Sequence, residues 1–419
     1  MGNRENAAVA EWRENWTLPI AAMVGYSATA IHIYSLGAFI QPLEQEFGWS
    51  RSQITLGLTV ASLIGAAFSV VVGLLVDRMG SRMLGLSGIV ATTAAFALFG
   101  YATGSMFNWI GLWVVMGLAA LLMQPTVWTK PVAARFEQSR GLALAVTLAG
   151  TGIAAAVFPL LANALVQWLG WRLAFPALGA FWAVLVLPVA YFFFRTEQVA
   201  PLRRVHRAET GQSAGATAVA EVPGLTVPQA LRDVAYYKLL IASLLFILTI
   251  LGIVVHFVPI LTEHGASPLR AAAKASLIGV SAIVGRLAAG LLIDRFPAHR
   301  VGAAIFMLPV VASLLLTING PSPIVQATAA ICFGLTLGAE IDVIAYLVTR
   351  YMGLRNYGVL FGAITGALAI GGAVGPLSAS VIRDMWGSYE PFLMIAAVCA
   401  GGSSLAIATL GPPRFASRH

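Results

Sequence analysis

Charged residues are scarce in this chain of 419 residues. Asp, Glu, Lys and Arg together make up 10% of it, whereas 59% is apolar and the mean hydropathy is +0.85. Soluble domains carry about 25% charged residues, so this composition excludes a soluble enzyme. A net charge of +8 could indicate nucleic-acid binding, but an excess of basic residues in the cytoplasmic loops of a membrane protein explains it better. The sequence therefore predicts an integral membrane protein that binds no nucleic acid.

Cysteines and catalytic motifs are equally sparse. The two cysteines, Cys332 and Cys399, lie inside apolar runs, and no spacing typical of a disulfide framework or a metal site is present. The sequence also lacks a nucleophile–base pair, an HExxH motif and a phosphate-binding loop. We therefore expect no cofactor, no bound metal and no enzymatic activity.

The start of the chain lacks the features of a cleaved signal peptide. Glu5, Glu11 and Glu14 precede the first apolar run, and this run is too long for a signal-peptide core. We expect it to remain as the first membrane helix.

Twelve apolar runs are long enough to cross a bilayer, which takes about 20 residues. They lie at residues 17–42, 52–76, 83–103, 107–133, 141–168, 172–194, 237–262, 270–293, 301–319, 323–349, 357–382 and 389–411. The polar interval 195–236 contains the low-complexity stretch GQSAGATAVAEVPG, which is typical of a flexible linker. The stretch VPQALRDVAYY at its end could form a short interfacial helix. The sequence thus predicts an all-α membrane protein with an N-terminal six-helix bundle (1–194), a cytoplasmic linker (195–236) and a C-terminal six-helix bundle (237–419).

The basic residues predict the orientation. With the N-terminus in the cytoplasm, nineteen of the twenty-five lysines and arginines fall in cytoplasmic segments. Five fall outside and one lies within a span: Arg51, Arg172, Arg270, Lys274 and Arg383 outside, and Arg286 within. The positive-inside rule therefore places both termini in the cytoplasm. We also expect the protein to be a monomer and to lie in the inner (plasma) membrane of the cell.

The sequence contains an internal repeat at an offset of 217 residues. GLLVDRMGSR, from Gly73 to Arg82, recurs as GLLIDRFPAHR, from Gly290 to Arg300. The same offset carries Pro42, Glu46, Gly48 and Ser50 onto Pro259, Glu263, Gly265 and Ser267. An even number of spans returns each half to the same side of the membrane, so the halves form a parallel duplication.

The repeated string resembles the signature loop G-x3-D-R-x-G-x-R of the major facilitator superfamily. The first copy is complete, whereas Pro297 replaces the second glycine in the other copy. The resemblance implies alternating access, in which two bundles rock about a central site. It also implies a conformational gate in these loops, formed by Gly73, Asp77, Arg78, Gly80, Arg82, Asp294 and Arg295.

Three charges lie deep within predicted spans, where each costs about 2.5–3.5 kcal/mol. They are Arg286 in span eight and Glu340 and Asp342 in span ten. Residues two apart on a helix point about 200° apart, so the two acids cannot both face one cavity. One of them is predicted to couple a proton while the other ties span ten to a neighbour, and their spacing leaves open which does which. A purely structural ion pair with Arg286 is the alternative.

A finer resemblance points to the substrate. YSLGAFIQPLEQEFGWSRSQI and IVGRLAAGLLIDR are similar to the bacterial monocarboxylate-transporter and oxalate/formate-antiporter group. This similarity implies that Arg286 binds a substrate carboxylate. Two departures from the group are Ala282, where animal carriers have an aspartate, and a span eleven with no basic residue within it. A compact dianion held by two cations is therefore disfavoured.

Other polar residues in the spans are further candidates for substrate binding. His32 and His256 can change charge near neutral pH, and Gln124 and Trp128 could contact a polar or aromatic substrate. Each of the two histidines could equally be a hydrogen-bonded residue of the helix packing.

Together these features predict a secondary active transporter of an organic anion, either a monocarboxylate or another carboxylic acid such as an aromatic one. Proton-coupled symport is the favoured mode. Its partners would be a small carboxylate, protons and the lipid bilayer. Efflux of drugs or hydrophobic compounds by proton antiport is the alternative, although span five reads FPLLAN and lacks the exporter ending G-P-x-x-G-G.

Overall fold

The computed structural model describes residues 2–136, 139–195, 224–318, 322–353 and 355–413. Within these ranges the side chains of residues 2–8, 69–74, 76–78, 140, 294 and 358 lie outside the description. Regular secondary structure in the described part is helical, apart from one isolated bridge between Gly224 and Gly353. The all-α class predicted from the sequence is confirmed.

The described residues of the N-terminal half form ten α-helices and two short 3-10 turns, Ala28–Ala30 and Phe99–Tyr101. The helices are α1 (Gly2–Asn15), α2 (Thr17–Ser27), α3 (Ile31–Phe47), α4 (Arg51–Met79), α5 (Ser81–Leu98), α6 (Met106–Leu121), α7 (Pro125–Arg135), α8 (Arg140–Leu148), α9 (Gly150–Leu169) and α10 (Trp171–Phe193). Three predicted spans are therefore interrupted: the first between α2 and α3, the fourth between α6 and α7, and the fifth between α8 and α9.

In the described part of the C-terminal half, a four-residue helix precedes six longer, unbroken ones. They are α11 (Val227–Ala230), α12 (Val234–Glu263), α13 (Pro268–Arg295), α14 (Ala298–Leu316), α15 (Pro323–Met352), α16 (Tyr357–Trp386) and α17 (Glu390–Ala408). The predicted interfacial helix is limited to the four residues of α11, and span seven begins at Val234. Residues 196–223 of the predicted linker lie outside the described residues.

Eleven helical segments of the described residues are long and apolar enough to cross a membrane. Helix α4 is not among them, but its 29 residues contain the second predicted apolar run. With α4, the helical segments match the twelve predicted spans.

The repeat is visible in the backbone. Gly48 ends α3 with a φ of 67°, and its repeat partner Gly265 follows α12 with a φ of 81°. This left-handed conformation is strained for residues with a Cβ atom. Equivalent positions in the two halves thus turn the chain in the same way.

The buried apolar residues form two clusters that follow the two halves. One cluster runs from Leu18 to Phe194 and includes Val255, and the other runs from Ala230 to Leu410. Tyr34 packs against both clusters. The side chains of Tyr34 and Val255 therefore mark the contact between the bundles.

The bundles meet at one end of the molecule, which we call the closed face; it carries the α3–α4, α12–α13 and α16–α17 connections. There the Thr55 hydroxyl lies 2.8 Å from the Ser380 hydroxyl, and Thr59 donates a hydrogen bond of 2.7 Å to the Ala373 carbonyl. Further along α4 and α16, a Cβ atom on Gly65 or Gly366 would have no atom within 4 Å. Neither glycine therefore packs against the other helix. We call the end of the molecule opposite the closed face, which carries α1, the terminal face.

Helices α9 and α13 cross closely between the bundles, and this contact yields a stability prediction. A Cβ atom on Gly279 would lie 2.0 Å from the Ala156 nitrogen and 2.4 Å from the Gly152 oxygen. We expect Gly279→Ala to destabilise the fold by about 1–3 kcal/mol, the typical cost of overpacking, and to lower the melting temperature in detergent.

The matched control is Gly290→Ala on the same helix, where a Cβ atom would have open space. Alanine stabilises a helix interior by roughly 0.5–1 kcal/mol relative to glycine, so this variant should melt at the same or a higher temperature. Equal melting temperatures for the two variants would contradict the close crossing.

Candidate functional site

Interrupted helices bring polar backbone groups into the interior of the N-terminal bundle. Pro125 starts α7, and Gln124 before it is extended, with φ −53° and ψ 147°, as the residue preceding a proline usually is. The Thr29 hydroxyl, in the break between α2 and α3, donates a hydrogen bond of 3.1 Å to the Met123 carbonyl. Two of the breaks therefore meet. In membrane proteins such irregular backbone is tolerated where it is buried in protein or lines a water-filled cavity.

Arg286 lies on α13 with its guanidinium largely buried. Its side chain is 12% exposed, and its Nε lies 3.2 Å from the Gly338 carbonyl and 3.5 Å from the Asp342 carboxylate. Its Nη1 is buried and has no hydrogen-bond partner among the described residues. One side of the guanidinium is thus held by α15, while the other retains a free donor.

Glycines bring α13 and α15 close enough for these contacts. A Cβ atom on Gly338 would lie 1.8 Å from the Ala282 carbonyl, and one on Gly285 would lie 2.1 Å from the Leu335 carbonyl. Only glycine fits at such distances between two backbones. The Gly338 carbonyl can therefore approach the guanidinium of Arg286.

The two acids of α15 differ in burial, as their angular separation predicts. Glu340 is 2% exposed and its Oε1 has no hydrogen-bond partner in the described part of the chain, whereas the Asp342 side chain is 40% exposed. Both acids nevertheless lie within electrostatic reach of Arg286. The long arginine side chain therefore interacts with groups that point in different directions from α15.

Two tyrosines of the N-terminal bundle approach this group from the other side. Tyr26 on α2 and Tyr34 on α3 both interact electrostatically with Arg286, and Tyr34 also interacts with Glu340. The sequence analysis did not select either residue. Their phenol groups within the first span were the available signal, but the break at Ala28–Ala30 hides which face they share.

His256 has partners other than those of Arg286. It is fully buried on α12, with Nε2 3.0 Å from both the Pro376 carbonyl and the Ser380 hydroxyl, and Nδ1 2.8 Å from the Tyr389 hydroxyl. Because a carbonyl only accepts, Nε2 carries the hydrogen and Nδ1 accepts one from Tyr389. These partners place His256 at the closed face.

The remaining substrate-binding candidates are distributed over the N-terminal bundle. His32 is buried against the edge of Trp113, with ring centroids 6.0 Å apart and no hydrogen-bond partner for Nδ1 among the described residues. Trp128 is fully buried against Gly25 and Gly85, in contact with the Phe194 ring. Gln124 is half-buried at the break between α6 and α7. Of these residues only Gln124 adjoins the meeting point of the helix breaks, and their substrate contacts remain predictions.

The signature loop is described in part. Gly80 has a φ of 82°, Arg82 donates a hydrogen bond of 2.8 Å to the Tyr191 carbonyl, and Arg295 lies exposed in the last turn of α13. The side chains of Asp77, Arg78 and Asp294 and the surroundings of Gly73 lie outside the described residues. The described part of the chain contains no group of three or more His, Cys, Asp or Glu residues that could hold a metal ion.

Comparison with known proteins gives consistent matches over nearly the whole chain. A family model described as the Major Facilitator Superfamily matches residues 22–376. Monocarboxylate transporter 13 of Bos taurus is 25% identical over 399 residues, covering 94% of this chain and 88% of that protein. The 4-hydroxybenzoate transporter PcaK of Acinetobacter baylyi is 23% identical over 408 residues and covers 86% of each chain. A crystal structure of a mutant of the nucleoside transporter NupG superposes with a TM-score of 0.69 at 12% identity, over 95% of this chain and 99% of that one; it shows a shared fold alone.

The hydrogen bonds of His256 predict a structural role that stability measurements can test. His256→Phe would leave the Tyr389 hydroxyl without its acceptor and the Pro376 carbonyl without one of its donors. Each buried polar group left unpaired costs about 1–3 kcal/mol, so we expect a clearly lower melting temperature in detergent. His264→Phe is the control, since His264 is partly exposed and bonds only the Ile260 carbonyl of its own helix. Similar melting temperatures for both variants would contradict the role of His256.

Proposed function

This chain belongs to the Major Facilitator Superfamily, and from that premise we propose that it is a secondary active transporter that carries an organic anion with one principal carboxylate together with a proton. The names of two relatives support the substrate class, since one is a monocarboxylate transporter and the other a 4-hydroxybenzoate transporter. Both names denote carriers of molecules with a carboxylate.

The observation that carries this proposal is the unpaired Nη1 of Arg286. A guanidinium presents its donors in a planar fork that matches a carboxylate. Here one side of the fork is held by Gly338 and Asp342, and the buried donor on the other side is costly unless an acceptor binds it. A substrate carboxylate supplies this acceptor and the compensating negative charge.

The tyrosines provide a reason why binding would move the bundles. Arg286 belongs to the C-terminal bundle, while Tyr26 and Tyr34 come from the N-terminal bundle. An anion on Arg286 that also accepts a hydrogen bond from Tyr34 contacts both bundles at once. Such a ligand favours the conformation in which these groups are closest, which is how binding shifts a conformational equilibrium.

We assign the transported proton to Asp342. This acid is paired with Arg286 and is the more exposed of the two acids. A substrate carboxylate that takes over the guanidinium releases Asp342, and a proton then neutralises the released acid. One anion and one proton move together without net charge, so the membrane potential does not oppose uptake.

The arginine role is tested by transport into proteoliposomes. We expect wild-type protein to accumulate labelled lactate or 4-hydroxybenzoate when a pH gradient is imposed. Arg286→Gln removes a buried charged partner of the carboxylate, which costs about 2–5 kcal/mol and should reduce uptake roughly 30-fold or more. Arg286→Lys keeps the charge without the fork and should retain intermediate activity.

Arg270→Gln is the control for this experiment. Arg270 lies exposed at the start of the same helix, so its loss should leave uptake unchanged. The double variant Arg286→Gln with Asp342→Asn removes both members of the ion pair and checks that a lost signal does not reflect an unpaired acid. Full uptake of either carboxylate by Arg286→Gln would overturn the arginine role.

The proton assignment is tested by comparing net uptake with exchange. Asp342→Asn should lose the response to the pH gradient but still exchange labelled for unlabelled substrate across the membrane, because exchange needs no net proton movement. Glu340→Gln should keep the gradient response. If Glu340→Gln instead lost the gradient response while Asp342→Asn kept it, the transported proton would be assigned to Glu340. Uptake by the wild type that does not depend on the pH gradient would exclude proton coupling.

A further inference from the structure

An arginine joins the two bundles at the closed face. Arg51, the first residue of α4, places Nε 2.7 Å from the Glu44 carboxylate of its own bundle and Nη1 2.8 Å from the Glu263 carboxylate of the other bundle. The side chain of Arg51 is 12% exposed, and those of the two acids are 26% and 25% exposed. Partial burial reduces screening by solvent, so this contact is stronger than an ordinary surface ion pair.

The same connection is reinforced at the backbone. The Asp384 carboxylate, from α16, accepts hydrogen bonds from the backbone nitrogens of Arg51 at 3.2 Å and Ser52 at 2.9 Å. These nitrogens belong to the first turn of α4, where an acidic group satisfies free N–H donors and interacts favourably with the helix dipole. A residue of the C-terminal bundle thus caps a helix of the N-terminal bundle.

A buried polar path lies directly beneath these charges. The Arg51 guanidinium lies 5.3 Å from the centroid of the Tyr389 ring, and the Tyr389 hydroxyl is 2.8 Å from Nδ1 of His256. From Nε2 of His256 the path continues through the Ser380 hydroxyl at 3.0 Å to the Thr55 hydroxyl at 2.8 Å. It therefore leaves α4 at Arg51, passes through the C-terminal bundle and returns to α4 one turn later.

The internal repeat shows which residues of the inter-bundle contact at the closed face have a counterpart in the other half. Glu263 has the repeat partner Glu46, but Glu46 pairs at 2.6 Å with Arg172 inside its own bundle. Two of the residues that cross between the bundles are not repeated: at the 217-residue offset Arg51 corresponds to Pro268 and Asp384 to Gln167. Arg383, which pairs with Glu263 inside the C-terminal bundle, corresponds to Val166. Glu46 therefore pairs within the N-terminal bundle, whereas its repeat partner Glu263 also pairs with Arg51 of the other bundle.

Arg51 and Glu263 can separate without either side chain losing its last ion-pair partner. Glu263 accepts a bond of 2.6 Å from Nε of Arg383 in its own bundle, and Arg51 keeps Glu44 in its own bundle. When the bundles part, Arg51 stays with Glu44 and Glu263 stays with Arg383. A buried charge left without a partner would be strongly unfavourable, so this arrangement lowers the cost of opening.

We propose that Arg51, Glu263 and Asp384 form a reversible latch that holds the closed face shut in this conformation. The latch has to release in every transport cycle. When it does, Arg51 and Glu263 each keep an ion-pair partner in their own bundle, and the exposed Asp384 carboxylate remains hydrated. The proposal rests on the two-bundle fold and is independent of the substrate and of proton coupling.

The latch is tested by distance measurements between spin labels across the closed face. Thr103 and Glu390 are exposed, lie in different bundles next to this face, and can be replaced by cysteine in a background with Cys332→Ala and Cys399→Ala. The unlatched protein should show a population with a longer label distance. We expect Arg51→Gln to raise the ratio of open to closed molecules on the order of tenfold, which corresponds to about 1.4 kcal/mol.

Arg172→Gln is the matched control, because it breaks the repeat-related pair with Glu46 within one bundle and should leave the distance distribution unchanged. Glu44→Gln removes the partner that retains Arg51 in its own bundle, so the closed population should persist or grow. Asp384→Asn should shift the ratio in the same direction as Arg51→Gln. Melting curves of each variant verify folding, and equal distributions for Arg51→Gln and Arg172→Gln in folded protein would overturn the latch.

Discussion

A guanidinium buried within the membrane is the constraint on which the arrangement of this protein depends. A charge at this depth costs about 2.5–3.5 kcal/mol, and Arg286 recovers part of that cost through the Gly338 carbonyl and Asp342. These contacts require α13 and α15 to lie almost backbone to backbone, which only glycines at 285 and 338 permit. The glycines and the arginine therefore act as one unit, in which close helix packing presents a carbonyl to a charge, while Nη1 has no hydrogen-bond partner among the described residues.

The two halves share a repeat but divide the work between them. The N-terminal bundle supplies broken helices and the phenol groups of Tyr26 and Tyr34, whereas the C-terminal bundle supplies continuous helices and the buried charges. In the binding mode proposed above, a ligand between them would meet hydroxyl donors on one side and a cation on the other. Binding is thereby linked to the relative position of the bundles, since neither half alone presents the complete set of groups.

The closed face shows the same division. Its ion pair crosses between the bundles, yet Arg51 and Glu263 each also have a partner in their own bundle, and Asp384, which caps α4 from the other bundle, is exposed to solvent. Movement between two conformations requires that neither one strands a buried charge. The local pairs Arg51–Glu44 and Glu263–Arg383 meet this requirement. Beneath them, the hydrogen-bonded path through His256 joins α16 to α4 while the face is shut.

The sequence by itself determined the membrane class, the spans, the duplication and the position of Arg286 within a span. These follow from composition, from the length of the apolar runs, from matching residues at a fixed offset and from the rarity of charges in lipid. It did not reveal the breaks in the first, fourth and fifth spans, because hydropathy depends on residue types and does not show where the backbone hydrogen bonds of a helix are interrupted. Only the tertiary structure decided that Tyr34 approaches Arg286, that His256 belongs to the closed face, and that Arg51 bonds across the bundles. These are contacts between residues more than 100 positions apart in the chain, or across a helix break. The physical reason is that the partners of a residue depend on how its helix is rotated and which helices it crosses, and the packing of both bundles sets these rotations and crossings.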